Sequence, residues 1–434
     1  MKHDILFPCV LAAMLAGCAA GSAAPDGKPP ARDVVAPWSY RHAVQRPVDH
    51  LRVELGDAFW KPRVDRAAEA GWFDQRKKFE DSGRIGAFRT VADRGDGPHR
   101  GPNSDEFVDQ WMEAGGHFAS RSDGAAVRKA LEEMIDLVLR AARDDGYVNT
   151  FYDNPKNRAA GRERFGAGNR FEFYNFGHLT QAAIAHYRST GERRLLDLAV
   201  RFADLLVAEF AAPNRLPYRL NRGPLHLRTE HPNHETALVE LYRITGERRY
   251  LDLVKQTYDE YAYWTRPELD GHSVQESLLN CGAADLYLEL GKPEILATPL
   301  RLWEDMVRGK LYVTGGIGAR RVSESFGAAY ELPHHAYAET CAAISAFFWS
   351  HRLLLATGDA RHADVMERML YNAIPAGVAL SGTEYFYQNR MVSGAPGPKG
   401  KPAFVTRFAW HGCPCCPPNV SRFLASMAGY FYTV

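Results

Sequence analysis

Apolar positions along the chain fall at helical spacing, and the pattern repeats. The stretch Ala182-Ala183-Ile184-Ala185-His186-Tyr187-Arg188-Ser189-Thr190-Gly191-Glu192-Arg193-Arg194-Leu195-Leu196-Asp197 has a near-copy in Ala237-Leu238-Val239-Glu240-Leu241-Tyr242-Arg243-Ile244-Thr245-Gly246-Glu247-Arg248-Arg249-Tyr250-Leu251-Asp252. Weaker echoes surround Leu290-Gly291-Lys292-Pro293 and Ala356-Thr357-Gly358-Asp359. In each, an apolar helix ends at a Gly, a short turn follows, and a second, amphipathic helix begins. This is the pattern of stacked αα-hairpins. The glycines are unequally spaced, which argues against an open solenoid of identical repeats. The expected fold is all-α, a closed α/α toroid of about six helical hairpins with variable loops on one face. Strand-like alternation is scarce, and Thr383 to Gln388 and Leu311 to Thr314 are expected as short, loop-borne β ribbons.

The start of the chain breaks this pattern. Met1-Lys2 is a weak positive cap on an apolar run from Ile5 to Ala16, closed by Leu15-Ala16-Gly17-Cys18. The run is too short to span a bilayer and reads as an export signal. Its end resembles a bacterial lipobox, with cleavage before Cys18 and a lipid on that cysteine. An ordinary signal peptide cut near Gly21 to Ala24 is the alternative, and both export the protein. Residues 1–18 are therefore expected to be a lipoprotein signal, 19–44 a flexible tether, and 45–434 the folded domain. The expected location is the bacterial periplasm or outer membrane, with membrane contact only through the anchor on Cys18.

Composition narrows the partners. With 434 residues and 46% hydrophobic content, the chain can bury a large core. Net charge is +1 and no basic block occurs, which argues against nucleic acid. Aromatic content of 12% is compatible with a sugar-stacking cleft, though aromatics more often serve the core.

The chemistry concentrates near the C-terminus, in His411-Gly412-Cys413-Pro414-Cys415-Cys416-Pro417-Pro418-Asn419. Upstream, Glu339-Thr340-Cys341 adds a carboxylate and a thiol two residues apart. Thiolates this close repel one another, so a cation should hold them, and Zn2+ suits sulfur with one carboxylate oxygen. Buried apolar cysteines or disulfides are the bland alternatives. Cys415 and Cys416 cannot easily bridge each other, and pairing Cys413 with Cys415 would leave Cys416, Cys341 and Cys281 over. Three histidines, His178, His231 and His272, precede or open apolar helices of successive hairpins. A lone His at a helix start is usually structural, but three in comparable positions should converge on one rim. Thr314-Gly315-Gly316-Ile317-Gly318 lacks the ending of a phosphate-binding loop and reads as a plain flexible loop. Beyond it, Glu324 is a candidate proton donor, weighed against an ordinary solvated Glu.

These segments resemble a known family. Thr314-Gly315-Gly316-Ile317-Gly318, Tyr330-Glu331-Leu332-Pro333, Tyr337-Ala338-Glu339-Thr340-Cys341-Ala342, Asp364-Val365-Met366-Glu367-Arg368 and Cys415-Cys416-Pro417-Pro418-Asn419 look like those of the bacterial β-L-arabinofuranosidases, glycoside hydrolase family 127 and its relatives. The resemblance runs from about residue 45 to the end. It implies an α/α toroid and zinc held by Glu339, Cys341, Cys415 and Cys416. It also implies Cys415 as nucleophile and Glu324 as general acid/base, with His178, His231, His272, Glu367 and Tyr387 lining or supporting a sugar pocket. Cys413 is not a ligand in that pattern.

Two departures stand out. Leu332-Pro333-His334-His335-Ala336-Tyr337 is one residue shorter than the family pattern and carries two histidines, which could alter the sugar subsite. The family normally continues into β-sandwich domains, and none is expected in this sequence, which runs to Val434. The expected protein is an exported glycoside hydrolase that removes β-linked L-arabinofuranose, or a similar furanose, from plant-type glycans with retention. Its rivals are a relative acting on a different pectin sugar and a non-catalytic carbohydrate-binding lipoprotein with structural zinc. A closed, four-ligand zinc would favour the last by the usual rule, and Glu324 argues against it.

Overall fold

A computed structural model describes residues 39–434 except 99, 103, 166–170, 212–230 and 393–405. The expected signal, the expected lipid site Cys18 and most of the expected tether lie outside the described residues. In chain order the helices are α1 (Trp60–Arg66), α2 (Trp72–Asp81), α3 (Arg84–Ala92), α4 (Asp105–Phe118), α5 (Ala125–Ala141), α6 (Pro155–Ala159), α7 (Glu172–Thr190) and α8 (Arg194–Phe210). They continue with α9 (His234–Thr245), α10 (Arg248–Glu260), α11 (Ser273–Leu290), α12 (Pro293–Gly309), α13 (Thr340–Thr357), α14 (Ala360–Arg368), α15 (Ile374–Ala376) and α16 (Cys416–Ser426).

The packing order closes a ring. Helix α4 lies against α7, α7 against α9, α9 against α11, α11 against α13, α13 against α16, and α16 against α4 again. Each inner helix carries an outer partner: α5 on α4, α8 on α7, α10 on α9, α12 on α11, α14 on α13, and α1 and α2 on α16. The expected toroid of six hairpins is what forms. Inner helices are buried on nearly every side, as in α4, where Phe107, Val108, Trp111 and Met112 are covered together with Asp105, Asp109 and Glu113. Outer helices bury a single stripe. In α8 it runs through Leu195, Ala199, Phe202, Leu206 and Phe210, spaced three and four apart. Each large apolar side chain so covered contributes about 1.5–3 kcal/mol.

The repeated glycines do what the pattern predicts. Gly191, Gly246, Gly291 and Gly358 end inner helices α7, α9, α11 and α13 with φ of 79°, 77°, 67° and 68°. Their amide N–H groups close the last turns, a conformation that costs a residue with a Cβ much more.

Two expectations need correction. Among the described residues there are only isolated antiparallel bridges, including Val378 with Tyr385 and Glu339 with Gln388. The expected ribbon at 383–388 is reduced to these single pairings. Leu311 to Thr314 forms no pairing, because Tyr312 N–H bonds Gly316 O in a local turn. The folded part also begins before the expected boundary at residue 44. Ser39 is buried, and His42 and Val44 donate to Leu288 O and Leu355 O at the C-terminal ends of α11 and α13. Those carbonyls have no partner within their own helices, so a strap of chain supplies their donors.

Candidate active site

Helix starts build the site. Pro417 and Pro418 open α16, where a missing N–H costs nothing, so Cys415 becomes the N-cap and Cys416 the first helical residue. Glu339 is the N-cap of α13 and Cys341 sits in its first turn. His272 is the N-cap of α11, its Nδ1 accepting from Val274 N–H at 3.1 Å. The positive ends of these helices therefore face one region and favour anions there. A clamp fixes α16 against its outer partner. Gln75 Nε2 donates to Tyr385 Oη and Ser421 Oγ at 2.8 Å and to Pro417 O at 3.1 Å.

Glu339, Cys341, Cys415 and Cys416 bring one donor atom each within 4.8 Å of the others. Cys415 Sγ is 3.3 Å from Glu339 Oε1 and 3.8 Å from Cys416 Sγ, and Cys416 Sγ is 3.4 Å from Cys341 Sγ. Glu339, Cys341 and Cys416 are buried, while Cys415 keeps partial access. Cys413 is exposed and outside the set, as the resemblance implied. Burial, with the charge of Glu324, pushes the Glu339 carboxyl up to about 8. Burial also holds the Cys415 and Cys416 thiols well above their ordinary range. Three sulfurs and one carboxylate without a positive side chain among them cannot all ionise. A soft divalent cation would make the deprotonated set the stable one, so these residues fit a zinc-type metal.

Glu324, the expected acid/base, stands beside this cluster. Glu324 Oε2 is 2.8 Å from His272 Nε2, and Tyr387 Oη donates to Glu324 Oε1 at 3.3 Å. His272, Glu324 and Glu339 form a second group with donor atoms within 4.8 Å. Burial pushes the Glu324 carboxyl up, but His272 and the Tyr337 and Tyr387 hydroxyls outweigh it and hold the group below its usual value. The segment that carries it is tied down, in contrast to the flexible loop expected just before it. Ser273 Oγ donates to Glu324 O at 3.0 Å, Phe326 N–H to Gly271 O at 2.9 Å, and Ala338 N–H to Gly318 O at 2.8 Å. Ser323 and Glu324 sit at φ of 56° and 51°, a left-handed conformation costly for residues with a Cβ.

The three histidines do converge. Tyr174 places its ring 4.5 Å from that of His178 and 3.8 Å from that of His231, and His231 lies 5.7 Å from His272. Gln110 Nε2 meets His178 Nε2 at 3.1 Å. A Cβ on Gly177 would stand 2.8 Å from the Asn233 backbone, so glycine lets α7 approach α9 here. Burial holds His178 well below its ordinary value and His231 at about 3, so both are neutral hydrogen-bonding groups.

The structure does not bring Glu367 to the site. It is exposed on outer helix α14, lining a surface groove with Met366, Tyr371 and Phe431, because the apolar face of α14 turns Val365 and Met366 inward. His334 and His335 are exposed as well, their rings 5.6 Å apart. Sequence reasoning missed Tyr174 and Tyr337. Tyr337 Oη donates to Glu339 Oε2 at 3.2 Å. Tyr174 could have been found, since it precedes His178 by one helical turn and shares its face.

Comparison with known proteins agrees with this geometry. Residues 52–429 match the family model described as β-L-arabinofuranosidase, GH127 catalytic domain. A non-reducing end β-L-arabinofuranosidase of Bifidobacterium longum subsp. longum is 31% identical over 369 residues, 76% of this chain and 55% of the relative. A solved GH127 β-arabinofuranosidase superposes with TM-score 0.81 at 34% identity, covering 91% of this chain and 63% of its own. A GH127 β-L-arabinofuranosidase from Geobacillus stearothermophilus T6 gives TM-score 0.78 at 30% identity, covering 88% and 65%. The chain thus spans 55–65% of the length of these relatives. The cellobiose 2-epimerase of Bacillus thermoamylovorans, 11% identical with TM-score 0.50 over 75% of this chain and 87% of its own, shares the fold alone. With a ring of helical hairpins, a Glu-Cys-Cys-Cys cluster at its rim and a family match over most of its length, the chain belongs to the GH127 β-L-arabinofuranosidase family, whose catalytic domain it contains.

Proposed function

We propose that this domain hydrolyses β-linked L-arabinofuranose, or a similar furanose, from plant-type glycans with retention of configuration. The observation that carries the reading is the shared position of Glu339, which belongs both to the thiol cluster and to the group with His272 and Glu324. A nucleophile and an acid thus meet at one point. Zinc bound by Glu339, Cys341, Cys415 and Cys416 would supply deprotonated sulfur at neutral pH.

The chain's own residues then divide the work. Cys415, the accessible thiol of the four donors, attacks the anomeric carbon, forming a C–S bond as the glycosidic C–O bond breaks. Glu324 gives its proton to the departing oxygen, and His272, 2.8 Å away, steadies the carboxylate that remains. In the second half, Glu324 takes a proton from water, whose oxygen displaces sulfur from the sugar. This replaces the usual pair of carboxylates with a thiolate and one carboxylate. His178, His231 and Tyr174 present neutral polar edges and an aromatic face where a furanose would sit. A purely structural metal would not call for Glu324, which its backbone holds in a strained conformation.

The test is release of p-nitrophenol from p-nitrophenyl β-L-arabinofuranoside by the full chain, before and after chelation. Metal-dependent turnover with retained configuration supports the proposal. A folded, zinc-loaded chain inert on this and other aryl furanosides refutes it. We also place the mature chain in the periplasm or on the outer membrane, anchored through Cys18. Incorporation of an alkynyl fatty acid that disappears in Cys18→Ala checks this.

A further inference from the structure

The bore holds a second cavity, of about 180 Å³, lined by inner helices α4, α7, α9, α11, α13 and α16 and by strap residues Pro47 to His50. None of the rim's metal donors or its three histidines lines it. Arg422, two turns along α16 from Cys415, spans one wall. Its Nη1 reaches Glu113 Oε2 on α4 at 3.1 Å and Gln181 Oε1 on α7 at 3.2 Å. One water needs only about 10–15 Å³ of such space. His117, Arg188, Glu240 and Arg352 line the cavity and keep partial access although the ring encloses them, so it is wide enough to wet them.

A hydrogen-bonded relay ends at this space. Asp49 Oδ1 lies 3.2 Å from His50 Nδ1, and His50 Nε2 lies 3.1 Å from His117 Nδ1. Burial pushes the Asp49 carboxyl up, but His50 and the Leu51 N–H outweigh it and hold it at about 2. Burial holds His117 well below its ordinary value, so its ring is neutral. A carboxylate only accepts, so Asp49 takes the His50 Nδ1–H. With both rings neutral, His50 Nε2 then accepts from His117 Nδ1–H. The bare Nε2 of His117 is left as an acceptor for the cavity.

The other lining groups call for a ligand that both donates and accepts. Arg188 Nε and His351 Nε2 are buried with no hydrogen-bond partner among the described residues, and His351 is 4% exposed. Arg422 is paired with Glu113 and Arg352 with Asp285, while Arg188 and Glu240 add one charge of each sign. Lining so nearly balanced disfavours an ion and suits hydroxyls, which donate once and accept twice. Phe348 and Tyr430 supply the apolar surface usual in small-molecule sites.

We propose that this chamber is a second ligand site, which takes a small neutral polyol of the size of a free pentose. A ligand hydroxyl donates to His117 Nε2, and ligand oxygens accept from Arg188. The site is separate from the rim and stands whether or not the rim hydrolyses furanosides.

The experiment titrates L-arabinose into the full chain by calorimetry, before and after chelation. One sugar should bind per chamber, and this binding should survive chelation. His117→Leu on α4 and Glu240→Gln on α9 should each weaken it at least about 10-fold. Thermal melting shows which variants fold, and if one does not, the other decides. A parent that binds no L-arabinose would overturn the inference, leaving the chamber to water. Binding unchanged in a folded variant would place the sugar elsewhere and overturn it too. Inorganic phosphate bound more tightly than the sugar, and lost in the same variants, would make this an anion site and overturn the ligand class.

Discussion

The two ends of the toroid's bore both bury charge and treat it in opposite ways. Toward the C-terminal ends of the inner helices, Arg243 meets Asp285 at 2.9 Å and Glu289 at 2.6 Å, and Arg352 also bonds Asp285. Both of these carboxylates have a guanidinium. Burial pushes Asp285 up, but Arg352 and Arg243 outweigh it and hold it below its ordinary range. At the N-terminal ends, Glu339 faces three thiols and Glu324, and its carboxyl is driven upward instead. Burial of charge alone therefore does not mark a functional site. Burial of like groups that the chain does not neutralise does, because something from outside must complete the set.

Removing the proposed nucleophile should separate the two ends most sharply. Cys415→Ala is expected to lower kcat by at least about 10³-fold, measured with the aryl furanoside, while the chelated variant, its charged network at the opposite end untouched, melts where the chelated parent does. Glu324→Gln comes next. It should cost about 10²–10⁴-fold on substrates with poor leaving groups and less on activated aryl glycosides, with zinc retained on analysis of metal content. If zinc left with the carboxyl, Glu324 would be a ligand rather than the acid.

At the other end, Arg243→Met should act on stability alone. It strands Glu289 and weakens the hold on Asp285, at about 3–5 kcal/mol by denaturant titration. Metal affinity should stay unchanged, and a large loss there would show that the two ends are coupled. The smallest expected effect is in pH dependence. A carboxyl raised from 4.5 to about 8 in the metal-free fold keeps its proton there and loses it in the unfolded chain. Its contribution therefore falls as pH rises through that window. Asp285, held low, behaves oppositely: its contribution is complete above the unfolded value and is lost as pH falls through the folded one. The gap in melting temperature between metal-loaded and chelated protein should widen from pH 5 to pH 8, and a constant gap would contradict the reading of Glu339.

Much of this is legible in the chain itself. The glycines at 191, 246, 291 and 358 announce helix ends, because a left-handed C-cap is a local requirement that any neighbourhood imposes. Donor chemistry is local too, so Glu339-Thr340-Cys341 and Cys415-Cys416 point to a metal whatever fold carries them. The expected ribbon at 311–314 fails because a turn closed by Gly316 satisfies the same backbone groups within one segment. Glu367 lies within a motif resembling the family's, yet the stripe that buries Val365 and Met366 leaves it facing out.

What the sequence determined by itself was the repeat of helical hairpins, the export-like start, and the set of thiols and carboxylates available for chemistry. Tertiary structure decided which of these groups meet. Tyr174 between His178 and His231, Tyr337 on Glu339, and Arg422 bridging Glu113, Gln181 and Asn419 are contacts that the closed ring assembles. Those of Arg422 with Glu113 and Gln181 exist only because α16 closes the ring against α4. Helix formation, capping and ligand preference depend on near neighbours along the chain. The charge left uncompensated at one rim depends on which helix starts the closed ring brings face to face.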